Sequence, residues 1–319
     1  MFFLYCGLLL PGTGRSVSIG NRKMMTGKKE KKALAAALAV YTIWGFTFLA
    51  SKVAQKSVTP FVLLAYRFDI AFILLLLPAL FGKEKICLKG KNIFPLLLLG
   101  LMEPCLYFIG EQYGVRFTNS AFSGLMIAVI PIVTLLLAAL FLKDRPSPAQ
   151  WCFSMLSIAG IVMITLLEDN SGSINAVGVL CLLMAVITGS SYTVISRSIS
   201  DEFSVFERTL FMQGMGAVFF TVLAVLENRN NIGAVFIPAG NLSFMIAVLF
   251  LSVFASAIGY TCFNYAVANA PTAKVVVLCN LTTIISVLAG VVILHEPFRP
   301  LSVLAMAAVL AGIWGVQKY

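Results

Sequence analysis

Charge is what this chain has least of. Only 11% of its 319 residues are charged, against roughly a quarter in a soluble domain. A water-soluble fold cannot clothe its surface from so few. Histidine is nearly absent, with His295 alone, which excludes a histidine-built metal centre. Seven cysteines occur, scattered and odd in number, with no CxxC spacing, so neither a disulfide framework nor a zinc site is expected. No GxSxG or HExxH pattern points to hydrolytic chemistry, and no GxxxxGK loop points to a nucleotide. No cofactor is expected.

What remains is apolar. Hydrophobic residues make up 60% of the chain and its mean hydropathy is +0.97. The solvent that tolerates this is the lipid bilayer. Apolar segments of helical length alternate with short polar links at 33–52, 60–81, 93–113, 118–142, 149–167, 174–196, 204–226, 241–266, 272–294 and 299–317. Each approximates the ~20 residues that span ~30 Å of hydrocarbon as a helix. The runs are continuous rather than alternating, which argues against a β-barrel. The fold class is therefore an all-α membrane protein of ten transmembrane helices.

The net charge of +10 would suggest nucleic acid in a soluble protein, but its placement points elsewhere. Seven basic residues lie between Arg15 and Lys32, ahead of the first long apolar run, as an anchor on an anionic leaflet. With the N-terminus inside, 16 basic residues, Arg197 and Arg208 among them, fall on the inner side and five on the outer. That bias places both termini in the cytoplasm. The expected partners are the bilayer and a small-molecule solute, with no nucleic acid, in the plasma membrane. Residues 1–32 read as a basic, disordered cytoplasmic tail, and Met24 or Met25 as a natural start.

The two halves resemble each other at an offset of 152. YGVRFTNSA at 113–121 matches YAVANAPTA at 265–273, LKDRPSP at 142–148 matches LHEPFRP at 294–300, and AGI recurs at 159–161 and 311–313. This divides the chain into five-helix repeats over 33–167 and 174–317. An odd helix count inserts the second copy upside down, the inverted plan of many carriers.

Ionisable groups inside a span need a reason, since each costs at least ~2.5 kcal/mol. Glu103 sits mid-helix before Pro104, which frees a carbonyl and bends the helix. Glu103 and Tyr107 share a face with Gly110 and Gly114. Arg67 and Asp69 lie two residues apart, ~200° around a helix, so they cannot pair with each other there. Either could be a coupling or a structural charge. Mixed aromatic and polar stripes, suited to a wet cavity, run through Trp44, Thr47, Phe48 and Ser51; through Thr188, Ser191 and Tyr192; through Ser256, Tyr260 and Asn264; and through Asn280 and Thr283. Glu103, Trp44, Phe48, Tyr107, Tyr192, Tyr260, Asn264 and Asn280 are the candidate solute-binding residues. Ala308, Ala311, Gly312 and Gly315 mark a close-packing or homodimer face.

IWGFTFLASKVAQKSVTPFVLLAYRF at 43–68, the 107–164 run with YGV, NSA, Pro131, Asp144 and AGI, and the second copy with YAV, PTA, Glu296-Pro297 and AGI together form an ordered set. In these the chain resembles the ten-helix EamA-type members of the drug/metabolite transporter superfamily. Lys143-Asp144 stands where that pattern has Gly-Glu. The resemblance implies two EamA-like five-helix bundles around a central cavity that opens alternately to each side, and secondary transport of a small polar metabolite, an amino acid or similar solute, as an exporter. The rival classes are a receptor or assembly subunit, which would not need an inverted repeat, and an intramembrane enzyme, for which the motifs above are missing.

Overall fold

The computed structural model describes residues 27–82, 84, 86–117, 126–167, 175–235, 240–294 and 301–319, and no strand occurs among them. Fourteen helices carry the described fold, named here in chain order. α1 (Gly27–Gly45) and α2 (Thr47–Ala54) make the first apolar run, and α3 (Pro60–Leu80) the next. α4 (Phe94–Gly100) passes through a wide π-helical segment, Leu101–Leu106, into α5 (Tyr107–Phe117). α6 (Ile130–Leu137), α7 (Pro148–Leu167), α8 (Ala176–Ser198) and α9 (Val205–Glu227) follow. α10 (Leu242–Leu249) passes through a second interrupting π-helical segment, Phe250–Ile258, into α11 (Gly259–Asn269), while a shorter π-helical turn, Ala138–Leu142, ends the run begun by α6. α12 (Thr272–Val276), α13 (Cys279–Leu294) and α14 (Leu301–Lys318) complete the chain.

Among the described residues, six helices are long and apolar enough to cross a membrane: Gly27–Ser51, Pro60–Leu80, Phe94–Gly114, Ala176–Ser198, Val205–Glu227 and Leu242–Asn269. Four more apolar helices are shorter over the described residues, Ile130–Leu142, Pro148–Met163, Thr272–Ile285 and Val303–Lys318. Large side chains such as Leu80, Leu140, Val218, Val292 and Leu304 stand exposed on the outside, where only an apolar solvent suits them.

Local chemistry sets the helix ends. Pro60 opens α3, where its missing N–H costs nothing. Ser204 and Glu207 form a reciprocal capping box at the start of α9, and Asn175 and Asn241 cap α8 and α10. Lys143 takes a left-handed φ of 55°, stopping the run that ends at Leu142.

The packing reveals how the halves are related. α3 lies on α9, and α7 on α14. Ser157 donates to the carbonyl of its repeat equivalent, Val309, at 3.4 Å, and between α3 and α9 Phe68 stacks on Phe220 at 5.5 Å and Asp69 accepts from Thr221. Equivalent residues meet like this only beside a two-fold axis. Both pairs run antiparallel, because Thr59 at the start of α3 bonds Glu227 at the end of α9, and Phe153 near the start of α7 stacks on Tyr319 beyond α14. The axis therefore lies across the helices, not along them. The other contacts exchange under it: α5 packs on α8 as α11 packs on α1, and the two interrupting π-helical segments occupy equivalent places.

Two expectations change. α1 already begins at Gly27, so 27–32 are helical rather than part of a disordered tail, and the rest of that tail lies outside the described residues. Arg197 and Arg208, counted as inner-side charges, are buried in α8 and α9. The Gly312 and Gly315 face is a close-packing face, set against Phe153 and Ser157 of α7.

Candidate functional site

The two interrupted helices meet near the centre of the molecule. At Glu103 the backbone leaves helical geometry (φ −144°, ψ 123°) and turns its side chain inward, leaving it 8% exposed. Pro104 follows with no N–H to give, so the regular ladder could not continue there. Across the interface Tyr260, just after the second interrupting π-helical segment, donates its hydroxyl to Glu103 Oε1 at 2.5 Å.

Arg67 reaches the same region from α3. It is 6% exposed, its Nε donates to Ser256 Oγ at 2.7 Å, and its guanidinium lies over the Phe108 ring at 4.9 Å and the Phe68 ring at 5.5 Å. Two aromatic faces and one hydroxyl offset part of the cost of a charge in this setting. Among the described residues, no hydrogen bond is made by Glu103 Oε2 or by the terminal nitrogens of Arg67, and the Arg67 charge faces the carboxylates of Glu103 and Glu111. One acceptor and a fork of donors, opposite in charge, are thus left for something else.

Aromatic rings wall the space. The Trp44 indole donates to Ala255 O at 3.0 Å and stands 5.2 Å from the Tyr260 ring and 5.6 Å from Phe263. Tyr192 packs edge-on to Tyr260 at 6.1 Å and stacks on Phe263 at 5.8 Å. The Tyr107 hydroxyl donates to Glu111 Oε1 at 3.1 Å, and a side chain at Gly189 would press its ring at 3.1 Å. Gly189 is therefore what lets Tyr107 lie against α8.

Below the aromatic wall lies a closed polar network. Tyr192 and Ser196 donate to Asn264 Oδ1 at 2.9 and 2.6 Å, and Asn264 Nδ2 donates to Thr209 Oγ1 at 3.0 Å. Arg208, fully buried, donates to Ser196 O and Oγ at 2.6 Å each and to Asn264 O at 3.1 Å. Arg197 donates to Val267 O and Ala270 O. These bonds bind α8, α9 and α11 together at one end.

The structure thus gathers Trp44, Arg67, Glu103, Tyr192, Tyr260 and Asn264, with Tyr107 on the adjoining turn. It places Asn280 apart, donating to Ser157 Oγ on α7 at 2.7 Å. Asp69 also lies apart, facing Thr221 in a separate crevice. Phe48 belongs to α2, but its side chain lies outside the described residues. Glu111, Arg208 and Gln213 were not singled out in the sequence. Glu111 follows Tyr107 by four residues and Glu103 by eight, so the same helical spacing would have found it. Ser204 and Glu207 spell a capping box, which would have set Arg208 inside a helix.

Comparison with known proteins agrees with this architecture. The model of a family described as the EamA-like transporter family matches twice, over residues 31–166 and 176–317. An uncharacterized transporter of Bacillus subtilis (strain 168), YcxC, is 30% identical over 294 residues, covering 91% of this chain and 94% of its own. An uncharacterized transporter of Archaeoglobus fulgidus is 24% identical over 289 residues, covering 90% and 99%. A solved crystal structure, 19% identical, superposes with a TM-score of 0.75 over 90% of this chain and 97% of its own, a likeness of fold alone.

Proposed function

The chain belongs to the EamA-like transporter family, and from that premise we propose that it is a secondary carrier of a small zwitterionic metabolite, an amino acid or close analogue. It is a multi-pass membrane transporter rather than an enzyme. In the proposed arrangement the six long helices and the four shorter ones together make ten spans, as two inverted five-helix repeats with both termini in the cytoplasm of a plasma membrane. The antiparallel pairing of α3 with α9 and of α7 with α14 supports inversion.

The observation that carries the substrate class is a pair of opposite charges with hydrogen-bonding capacity to spare. Glu103 Oε2 offers an acceptor to an ammonium, and the terminal nitrogens of Arg67 offer a fork to a carboxylate. Trp44, Tyr192 and Tyr260 give the remaining solute an aromatic wall. Glu103 is also the group best placed to carry a coupling proton. Alternating access follows from the symmetry: a gate made by one repeat has its counterpart, reversed, in the other. The Arg208 and Arg197 bonds to α8 and α11 hold the cytoplasmic end shut in this conformation and must part when it opens. Export is the direction we assign, in keeping with the family resemblance.

Reconstitution tests this reading. Liposomes bearing the purified protein are loaded with single amino acids and flux is followed from pH 5 to pH 8. The wild-type protein moves at least one of them with a pH-dependent rate. Glu103→Gln, folded by thermal scanning, loses transport or its pH dependence. Full wild-type flux at every pH from Glu103→Gln would remove the carboxylate from the mechanism.

A further inference from the structure

A crevice remote in chemistry from the central site lies between α3 and α9. Its volume is about 330 Å³ and it is lined by Tyr66, Asp69, Ile70, Thr221, Val225 and Ile232 among others. That volume sits at the lower end of the ~300–1,000 Å³ usual for small-molecule sites. Its walls are apolar apart from two groups at its base. The Thr221 hydroxyl donates to the Asp69 carboxylate at 2.9 and 3.0 Å from its two oxygens. The Tyr66 hydroxyl donates outward to Val235 O at 3.0 Å, so that ring offers the cavity a face.

Asp69 has no cation within ion-pair distance among the described residues. Its neighbour in sequence, Arg67, points away to Ser256, ~200° around the helix. A half-buried carboxylate facing an apolar hollow is a costly arrangement unless a positive charge comes to it. Val225 and Ile232 line the hollow and are also exposed on the outer surface, by 39% and 50%. The hollow therefore opens at the surface of the molecule, toward the end of α9 and the turn beyond it.

We propose that this crevice is a second binding site, for a compact amphiphilic organic cation that sets its ammonium against Asp69. The apolar walls take the body of such a molecule, the carboxylate selects its charge, and the small volume limits it to one ring or a short branched chain. The Thr221 hydrogen bond holds the carboxylate at the base with its remaining lone pairs toward the hollow.

The test uses the full chain, purified into lipid nanodiscs, and two probes of one shape. Benzyltrimethylammonium carries the charge; neopentylbenzene replaces its nitrogen by carbon. The charged probe is expected to raise the melting temperature saturably, and the neutral one to bind at least about tenfold more weakly. Asp69→Asn weakens the ammonium by about tenfold or more, while Asp69→Glu keeps most of the affinity. Ala224→Trp fills the hollow and abolishes binding with Asp69 intact, an independent check should Asp69→Asn fold poorly. Glu103→Gln leaves the affinity within about twofold, because the sites are separate. Equal binding of the two probes, unchanged affinity in Asp69→Asn, loss in Glu103→Gln, or no saturable binding to the wild-type protein would each overturn the proposal.

Discussion

Gly160 and Gly312 are equivalent positions in the two repeats, and each meets the backbone of the opposite copy. A methyl group at 160 would stand 2.7 Å from Ala305 O and 2.9 Å from Val309 N. At 312 it would stand 2.6 Å from Phe153 O and 2.7 Å from Ser157 N. Ordinary contact begins at 3.4 Å, so α7 and α14 must part by about 0.7 Å to admit either one. The obstacle is main chain, which cannot rotate away as a side chain can. A gap of ~0.5–1 Å forfeits a quarter to a half of each neighbouring dispersion contact. Overpacking of this kind costs ~1–3 kcal/mol, or about 5- to 150-fold in the folded-to-unfolded ratio. Gly160→Ala and Gly312→Ala should therefore destabilise to a similar degree, read as the midpoint of unfolding in mixed micelles titrated with SDS. The double variant should lose less than the two losses added, because helices parted for one methyl already accommodate the other. Gly27→Ala, with nothing within 4 Å of the new methyl, is the control. If either single variant unfolds at the wild-type midpoint, or the losses simply add, the shared backbone contact between equivalent helices is wrong.

Two further outcomes follow from the central site. Arg67→Lys should retain the charge but not the planar fork, raising KM for a zwitterionic solute by about tenfold with less change in kcat, whereas Arg67→Ala should remove measurable flux; an unchanged KM for both in liposomes would detach Arg67 from the solute. Asn264→Leu removes acceptors and a donor from Tyr192, Ser196 and Thr209 at once, and a buried donor or acceptor left unmet costs ~1–3 kcal/mol. A loss of about 3 kcal/mol in the same SDS titration is expected, and a loss under ~1 kcal/mol would mean that the network is not cooperative.

Much of the scaffold was legible because the bilayer makes hydropathy dictate where helices run. The break at Glu103 was legible too, since Pro104 announces it. The matching π-helical stretch Phe250–Ile258 was not, because FLSVFASAI holds no helix breaker. Its wide turns are visible only once the other helices are in place. Arg208 was misplaced for a related reason: it lies in the first turn of the 204–226 run, where a charge passes for one at the membrane face. The opposed bearings of Arg67 and Asp69 could be read from spacing alone, but not their partners, which lie far along the chain in Ser256 and Thr221.

Partners were hidden because the symmetry of the backbone is not kept by the side chains. The repeat offset carries Glu103 onto Ala255 and Tyr260 onto Phe108. The carboxylate and the tyrosine that meets it therefore each occur once, opposite an apolar counterpart. A symmetric scaffold offers two equivalent ways to open. A site with one carboxylate on one copy's interrupted helix, one guanidinium on α3 and the tyrosine on the other copy gives the solute a single orientation in both. If transport uses this asymmetry, Ala255→Glu combined with Glu103→Ala moves the carboxylate to the equivalent place without restoring its relation to Arg67. That double variant should fail to transport while folding. Recovery of wild-type flux would show that only the presence of a carboxylate in the cavity matters, not its position relative to the guanidinium.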